Sequence, residues 1–166
     1  MKIRFLRLAA LLAIAPALTG CGQDAPTEVT TVQLAVIAGA EHGGAPFSTP
    51  MTQEVTTVPA WQGDPDGSGV ALITINLGQR EICWEMSVSD ITLPATASHI
   101  HKAAVGVRGG IVVGLTAPDA TGLVTGCTAG VSRELLAEIL NSPADFYVNV
   151  HTSDFPAGAI RGQLER

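Results

Sequence analysis

Aromatic side chains make up only 4% of the 166 residues and charged ones 14%. Among the charged residues, basic ones are outnumbered nine to fifteen. An acidic chain is repelled by phosphate backbones, so nucleic acid is excluded as a partner on electrostatic grounds. Of the three cysteines, none stands in C-x-x-C spacing, which argues against a redox-active dithiol. No G-x-S-x-G occurs, and no serine, cysteine or carboxylate can be tied to a histidine by spacing, so a hydrolase has no visible nucleophile. The glycine-rich Gly106-Val107-Arg108-Gly109-Gly110 lacks the lysine of a phosphate-binding loop, and no helix follows it. The N-terminal apolar run, Leu8 to Leu18, falls short of the roughly 20 residues that span a bilayer.

That run gains its meaning from its flanks. Lys2, Arg4 and Arg7 precede it, and Leu18-Thr19-Gly20-Cys21 ends it. A basic start, a short apolar stretch, small residues and a cysteine, in that order, resemble the bacterial lipoprotein signal, in which cleavage leaves the cysteine first and lipid-bearing. Residues 1–20 are accordingly expected to be a signal peptide and 21–30 a lipidated N-terminus and tether, polar and without periodicity. Gly22, where an aspartate would favour retention at the inner membrane, points to the outer membrane of a cell that has two. An ordinary secretory signal, with Cys21 present by coincidence, leaves the compartment unchanged and alters only the anchor. With Lys2, Arg4 and Arg7 removed, six basic residues face fifteen acidic ones, about −9, so attachment to a membrane rests on the lipid rather than on charge.

What the chain has in quantity is turn residues: 18 glycines and 10 prolines, which interrupt short apolar runs at close intervals. This is the pattern of an all-β sandwich or barrel around one core. Strands are expected over residues 29–38, weakly over 53–58 before Pro59, and over 70–75, 82–88, 98–101, 111–115, 146–152 and 159–164, with 111–115 fully buried. Residues 41–46 read as a turn carrying His42, and 117–130 as a loop. Asp64-Pro65-Asp66-Gly67 opens like a calcium loop but runs straight into a strand without further ligands, so a turn is expected there. One helix is expected over 133–140, capped by Ser132. With Cys21 taken by lipid, Cys83 and Cys127 are an even pair in an oxidising compartment and are expected to form a disulfide. It closes a loop of about 45 residues, worth roughly 3 to 4 kcal/mol on the chain-entropy model. Cys83 alternates with Ile82 and Trp84, which puts the bond on the polar face, outside the core.

Three of the four histidines stand on such polar faces. Side chains of a strand alternate, so His99 and His101 share a face opposite Ile100, and Tyr147, Asn149 and His151 share one opposite Phe146, Val148 and Val150. Two imidazoles at i and i+2, facing a third from another strand, can supply three nitrogens to one copper or zinc ion. The same residues can instead form a polar network with Tyr147, Asn149, Arg161 and Gln163, each ring bonded to a backbone carbonyl. A catalytic acid or base is a third use of such a cluster. The spacing leaves all three open.

The residues His99-Ile100-His101, Gly106, Gly109-Gly110-Ile111-Val112-Val113, Pro143, Phe146-Tyr147-Val148-Asn149-Val150-His151-Thr152 and Pro156-Ala157-Gly158-Ala159-Ile160-Arg161-Gly162-Gln163-Leu164 together resemble the CHRD domain, named from chordin and common in secreted bacterial proteins. The resemblance covers residues 31–166 and departs from the family at Ala103, often glycine there. It implies an antiparallel immunoglobulin-like or superoxide-dismutase-like β-sandwich outside the cytoplasm. The H-x-H spacing is also similar to the copper strand of Cu,Zn superoxide dismutases, but their bridging histidine and second-metal aspartate have no counterpart. The expected function is a lipid-anchored, non-enzymatic binding or structural module of the cell envelope, touching a membrane through its lipid and an envelope protein or polymer through its surface. The alternative is a copper- or zinc-binding or redox protein using His99, His101 and His151.

Overall fold

The computed structural model describes residues 44–58 and 61–166. Cys21, the signal segment, the tether, the strand expected over 29–38 and His42 lie outside the described residues. Alternating apolar positions form eight strands: β1 (Ala45–Gln53), β2 (Ser68–Asn76), β3 (Glu81–Ser89), β4 (Ala97–Lys102), β5 (Gly110–Leu115), β6 (Leu123–Ala129), β7 (Phe146–His151) and β8 (Ile160–Gln163). One helix, α1 (Arg133–Asn141), and a 3-10 turn (Pro143–Asp145) precede β7. The architecture is all-β, as expected. All pairings are antiparallel, in the order β5-β4-β7-β8-β1-β2-β3-β6, a nearly closed sheet. Among the described residues no helix is long and apolar enough to cross a membrane.

Strand β1 turns the corner. Its residues from Ala45 to Met51 pair with β2, while Thr52 and Gln53 pair with Arg161 and Ile160 of β8. The two halves of the sheet therefore share one strand and enclose one core: Phe47, Met51, Ile73, Ile82 and Met86 from one half, Ile100, Val148, Val150 and Ile160 from the other. Ser98 of β4 donates to the Met86 sulfur of β3 at 3.6 Å, a contact across that core. Each of these fully buried aliphatic side chains is worth roughly 1.5 to 3 kcal/mol over leaving it in water. The helix closes one flank. The Ser132 hydroxyl accepts the Leu135 N–H at 3.1 Å, Glu134 sits in the first turn, and Leu136 and Ile139 are buried.

Four expectations are corrected. The turn expected over 41–46 gives way at Ala45 to β1, and the weak strand over 53–58 ends at Gln53. Pro46 and Pro50 disguise β1, yet they share parity, so both can face away from β2 on an edge that β8 joins only at Thr52 and Gln53. The loop expected over 117–130 contains β6, whose side chains are all exposed or half-buried and therefore show no apolar alternation. Strand β5, expected to be buried, is an edge strand with Ile111 57% exposed.

Cys83 and Cys127 are directly opposite partners of β3 and β6, their Cα atoms 4.0 Å apart and their sulfurs at bonding distance. Cys83 is buried and Cys127 exposed, on the face that also carries Glu81, Glu85 and Thr125. The bond ties an edge strand to its neighbour from outside the core.

Candidate functional site

On β4 and β7 the polar alternation predicted from sequence is present, and register brings the two rows together. His99 lies opposite Asn149, and His101 opposite Tyr147, while His151 pairs with Ala97 one step along. On the other side of β4 the register slips between Ile100 and His101, which pair with Val113 and Ile111, so β5 carries an extra residue, Val112, beside the second histidine. A bulge re-aims a side chain relative to its neighbours.

This outward face is not open to water. Tyr147 and Asn149 are each 1% exposed, Glu54 2%, His101 7% and Arg161 8%. Two segments cover it. The chain after β1 crosses at Glu54, whose N–H donates to Ala159 O at 3.1 Å, and the 103–109 loop closes from the other side, Thr57 N–H donating to Gly106 O at 3.0 Å. Glycine permits both approaches. Gly109 accepts from His101 Nδ1 at 3.0 Å and donates its N–H to the Tyr147 hydroxyl at 3.2 Å, and a Cβ there would run into the Lys102 carbonyl. Gly158, at φ +136°, leaves room for the Glu54 carboxylate, which accepts from Asn149 Nδ2.

Arg161 locks the loop down. Its guanidinium lies 3.3 Å from the centroid of the Tyr147 ring, and donates to Val107 O at 2.7 Å, Ala104 O at 2.8 Å and Gln163 Oε1 at 3.1 Å. Gln163 in turn donates to Ala103 O at 2.7 Å and Ala144 O at 2.6 Å. The Tyr147 ring also stacks on His101, centroids 4.8 Å apart and planes within 6°. Of the residues named from sequence as a network, Arg161 and Gln163 are joined to each other and to loop carbonyls, Tyr147 joins through the Gly109 N–H and the Arg161 guanidinium, and Asn149 bonds to the Glu54 carboxylate instead.

The three imidazoles converge at one end of this network. His99 Nδ1 and His151 Nε2 are 3.3 Å apart, and one nitrogen from each of His99, His101 and His151 lies within 4.8 Å of the others. His101 Nδ1 points to Gly109 O, and His151 Nδ1 to Pro156 O at 3.1 Å. A carbonyl only accepts, so both Nδ1 atoms carry the proton and both Nε2 atoms carry the lone pair. His151 Nε2 meets His99. His101 Nε2 is buried and has no partner among the described residues. Burial pulls all three imidazoles below the ordinary histidine range, even though the Gly109 and Pro156 carbonyls act in the opposite direction on His101 and His151. Neutral rings that each keep a lone pair on one nitrogen are what a soft or borderline metal ion requires, and that of His101 has no other partner among the described residues.

Glu54 is the residue that sequence reasoning missed. It stands at the end of a proline-interrupted stretch and pairs with Asn149 across 95 residues, so no local spacing could have found it. Burial raises its carboxyl above the usual range, opposed by the Asn149 hydrogen bond and the positive charges of Arg161 and Arg108. The same burial lowers Arg161, opposed by Tyr147 and Glu54.

Fold and site together define an all-β domain that brings three histidines together and orients two of them, His101 and His151, by loop carbonyls. The family model of the CHRD domain matches residues 47–164, and the chain belongs to that family. No curated protein and no solved structure matches the chain significantly.

Proposed function

We propose that this is a lipid-anchored, extracytoplasmic CHRD-domain protein, a non-enzymatic module of the cell envelope whose three-histidine face takes up one copper or zinc ion. The observation that carries the metal reading is the buried His101 Nε2, a lone pair without a partner, in a ring pinned through its other nitrogen. Metal-binding histidines are commonly oriented in this way, their second N–H on a backbone carbonyl. Two imidazole nitrogens on one tetrahedral ion at about 2.0 to 2.1 Å lie about 3.4 Å apart. The 3.3 Å between His99 Nδ1 and His151 Nε2 matches that spacing. A metal-free network accounts for the Nδ1 bonds but leaves His101 Nε2 unsatisfied at a cost of about 1 to 3 kcal/mol. The finer fold reading, an immunoglobulin-like or dismutase-like sandwich, draws support from β1 serving both halves of the sheet.

The test uses the full chain, purified in detergent without a histidine tag. Calorimetry and metal analysis should give close to one equivalent of Cu(II) or Zn(II), and His99→Ala or His151→Ala should abolish it. Unchanged stoichiometry in both variants would overturn the metal reading. The anchor is tested separately: Cys21→Ser should move the protein from the membrane fraction to the soluble fraction, and its retention in the membrane would refute lipid attachment at Cys21.

A further inference from the structure

A divalent ion on these three imidazoles would sit in an entirely neutral donor set. Among the described residues, no carboxylate joins the three histidines in a cluster of possible ligands. The nearest buried acid in the network, Glu54, is turned to Asn149. The one ion pair among the described residues, Lys102–Glu138, does not involve the trio. The fixed charges held beside the trio are guanidiniums: Arg161 lies over the Tyr147 ring that stacks on His101, and Arg108 precedes the Gly109 whose carbonyl orients His101. A partly buried dication with no carboxylate among its ligands is poorly compensated.

The two arginines differ in what they have left to offer. Arg161 is buried, and its donors are engaged with Val107, Ala104 and Gln163. Arg108 is exposed, and a guanidinium has five N–H donors. Its hydrogen bond among the described residues goes from Nη2 to Ala157 O at 3.1 Å, and its plane is held over the Trp61 ring at 4.5 Å. Arg108 immediately precedes Gly109, whose carbonyl orients His101, and its partner Ala157 follows Pro156, whose carbonyl orients His151. The guanidinium therefore bridges the two loops that hold two of the three rings. Three protein nitrogens leave a four-coordinate ion one position, and with His101 buried while His99 and His151 are half-buried, that position opens toward solvent.

We infer that the open position is completed by a small monoanion, bound through one donor atom to the metal and through a second atom to the Arg108 guanidinium. This rests on the three-histidine metal reading. A carboxylate and a linear triatomic anion both meet the requirement; a neutral amine or a bulky polyanion does not. The pairing of a guanidinium with an anion is charge-assisted and geometrically directed, and a flexible lysine reproduces its charge but not its fork.

The experiment titrates azide, with acetate as a second arm, into the full chain loaded with Cu(II), following the azide-to-copper charge-transfer band and counting anion per bound copper. Wild type should bind one azide per copper, acetate should compete, and Arg108→Gln should weaken azide about tenfold, with Arg108→Lys recovering only part of the loss. Copper-loaded wild type that shows no azide band overturns the anion site. Equal azide affinity in wild type and Arg108→Gln overturns the role of Arg108. Wild type that takes up no copper overturns the metal reading beneath both, a failure distinguished by the copper count itself.

Discussion

The outer faces of the two halves of the sheet begin from the same sequence rule and end differently. On β3 and β6 the outward row is half-buried at Glu81 and Glu85, exposed at Thr125 and Cys127, and cross-tied by a disulfide through the buried Cys83. On β4, β7 and β8 the outward row, His101, Tyr147, Asn149 and Arg161, is almost wholly buried under two loops. Alternation decides only which side of a strand a residue occupies. Whether that side is wet is decided by chain segments far away in sequence, here the stretch after β1 and the 103–109 loop. One half is therefore stabilised covalently, the other by a buried hydrogen-bonded network that leaves His101 Nε2 and Asn149 Oδ1 without partners among the described residues.

The contrast can be broken from either side. The largest effect is expected from reduction of Cys83–Cys127, or its replacement by serines, which should cost about 3 to 4 kcal/mol on the chain-entropy model, read as a fall in urea midpoint. A midpoint unchanged by reductant would remove the covalent half of the comparison. Arg161→Met comes next. It strips the donors from Ala104 and Val107 carbonyls and the counter-charge from buried Glu54, for an expected loss of about 3 kcal/mol and faster amide exchange in the 103–109 loop. A loss confined to stability with loop exchange unaltered would show that the guanidinium does not hold the loop.

The smallest effect sharpens rather than breaks the contrast. Burial raises the folded-state pKa of Glu54 above its ordinary 4.5. A raised pKa means that the carboxyl's contribution is full below its unfolded value and is lost as pH rises through the folded one. Glu54→Gln retains an acceptor for Asn149 without the ionisation. It should flatten the decline of stability above pH 4.5 and leave the neutral-pH protein unchanged or about 1 kcal/mol more stable. A steeper decline in the variant would mean that attraction to Arg161, not desolvation, governs the carboxylate.

Legibility in the sequence follows the same division between local and distant causes. The period-two spacing of His99 with His101, and of Tyr147, Asn149 and His151, was enough to assign faces, and the cysteine count was enough to pair Cys83 with Cys127. Ser132 announced the helix because capping is a local interaction. Strand β1 was obscured because Pro46 and Pro50 look like breakers until it is known that one edge of the strand is largely unpaired. Strand β6 was obscured because the inward row of this edge strand, Val124, Gly126 and Thr128, is only half-buried and carries a single large apolar side chain. The bulge beside His101, the carbonyls of Gly109 and Pro156, and the reach of Glu54 to Asn149 depend on which loop lands on which strand, and spacing along the chain does not encode that.

The corner strand β1 also bears on how the molecule is made. Thr52 finds Arg161 only after nearly the whole chain has been synthesised, whereas Ala45 to Met51 can join β2 as soon as that hairpin emerges. Loop-closure entropy favours the early, near pairing and delays the late one. The disulfide-bearing half is thus expected to assemble first, from β1, β2, β3 and β6. The histidine face forms last, when β7 and β8 arrive and β8 pairs with the two residues of β1 held in reserve. A chain interrupted before β8 would retain His99, His101 and His151 but have neither Arg161 nor Gln163 to bring the covering loop down over them.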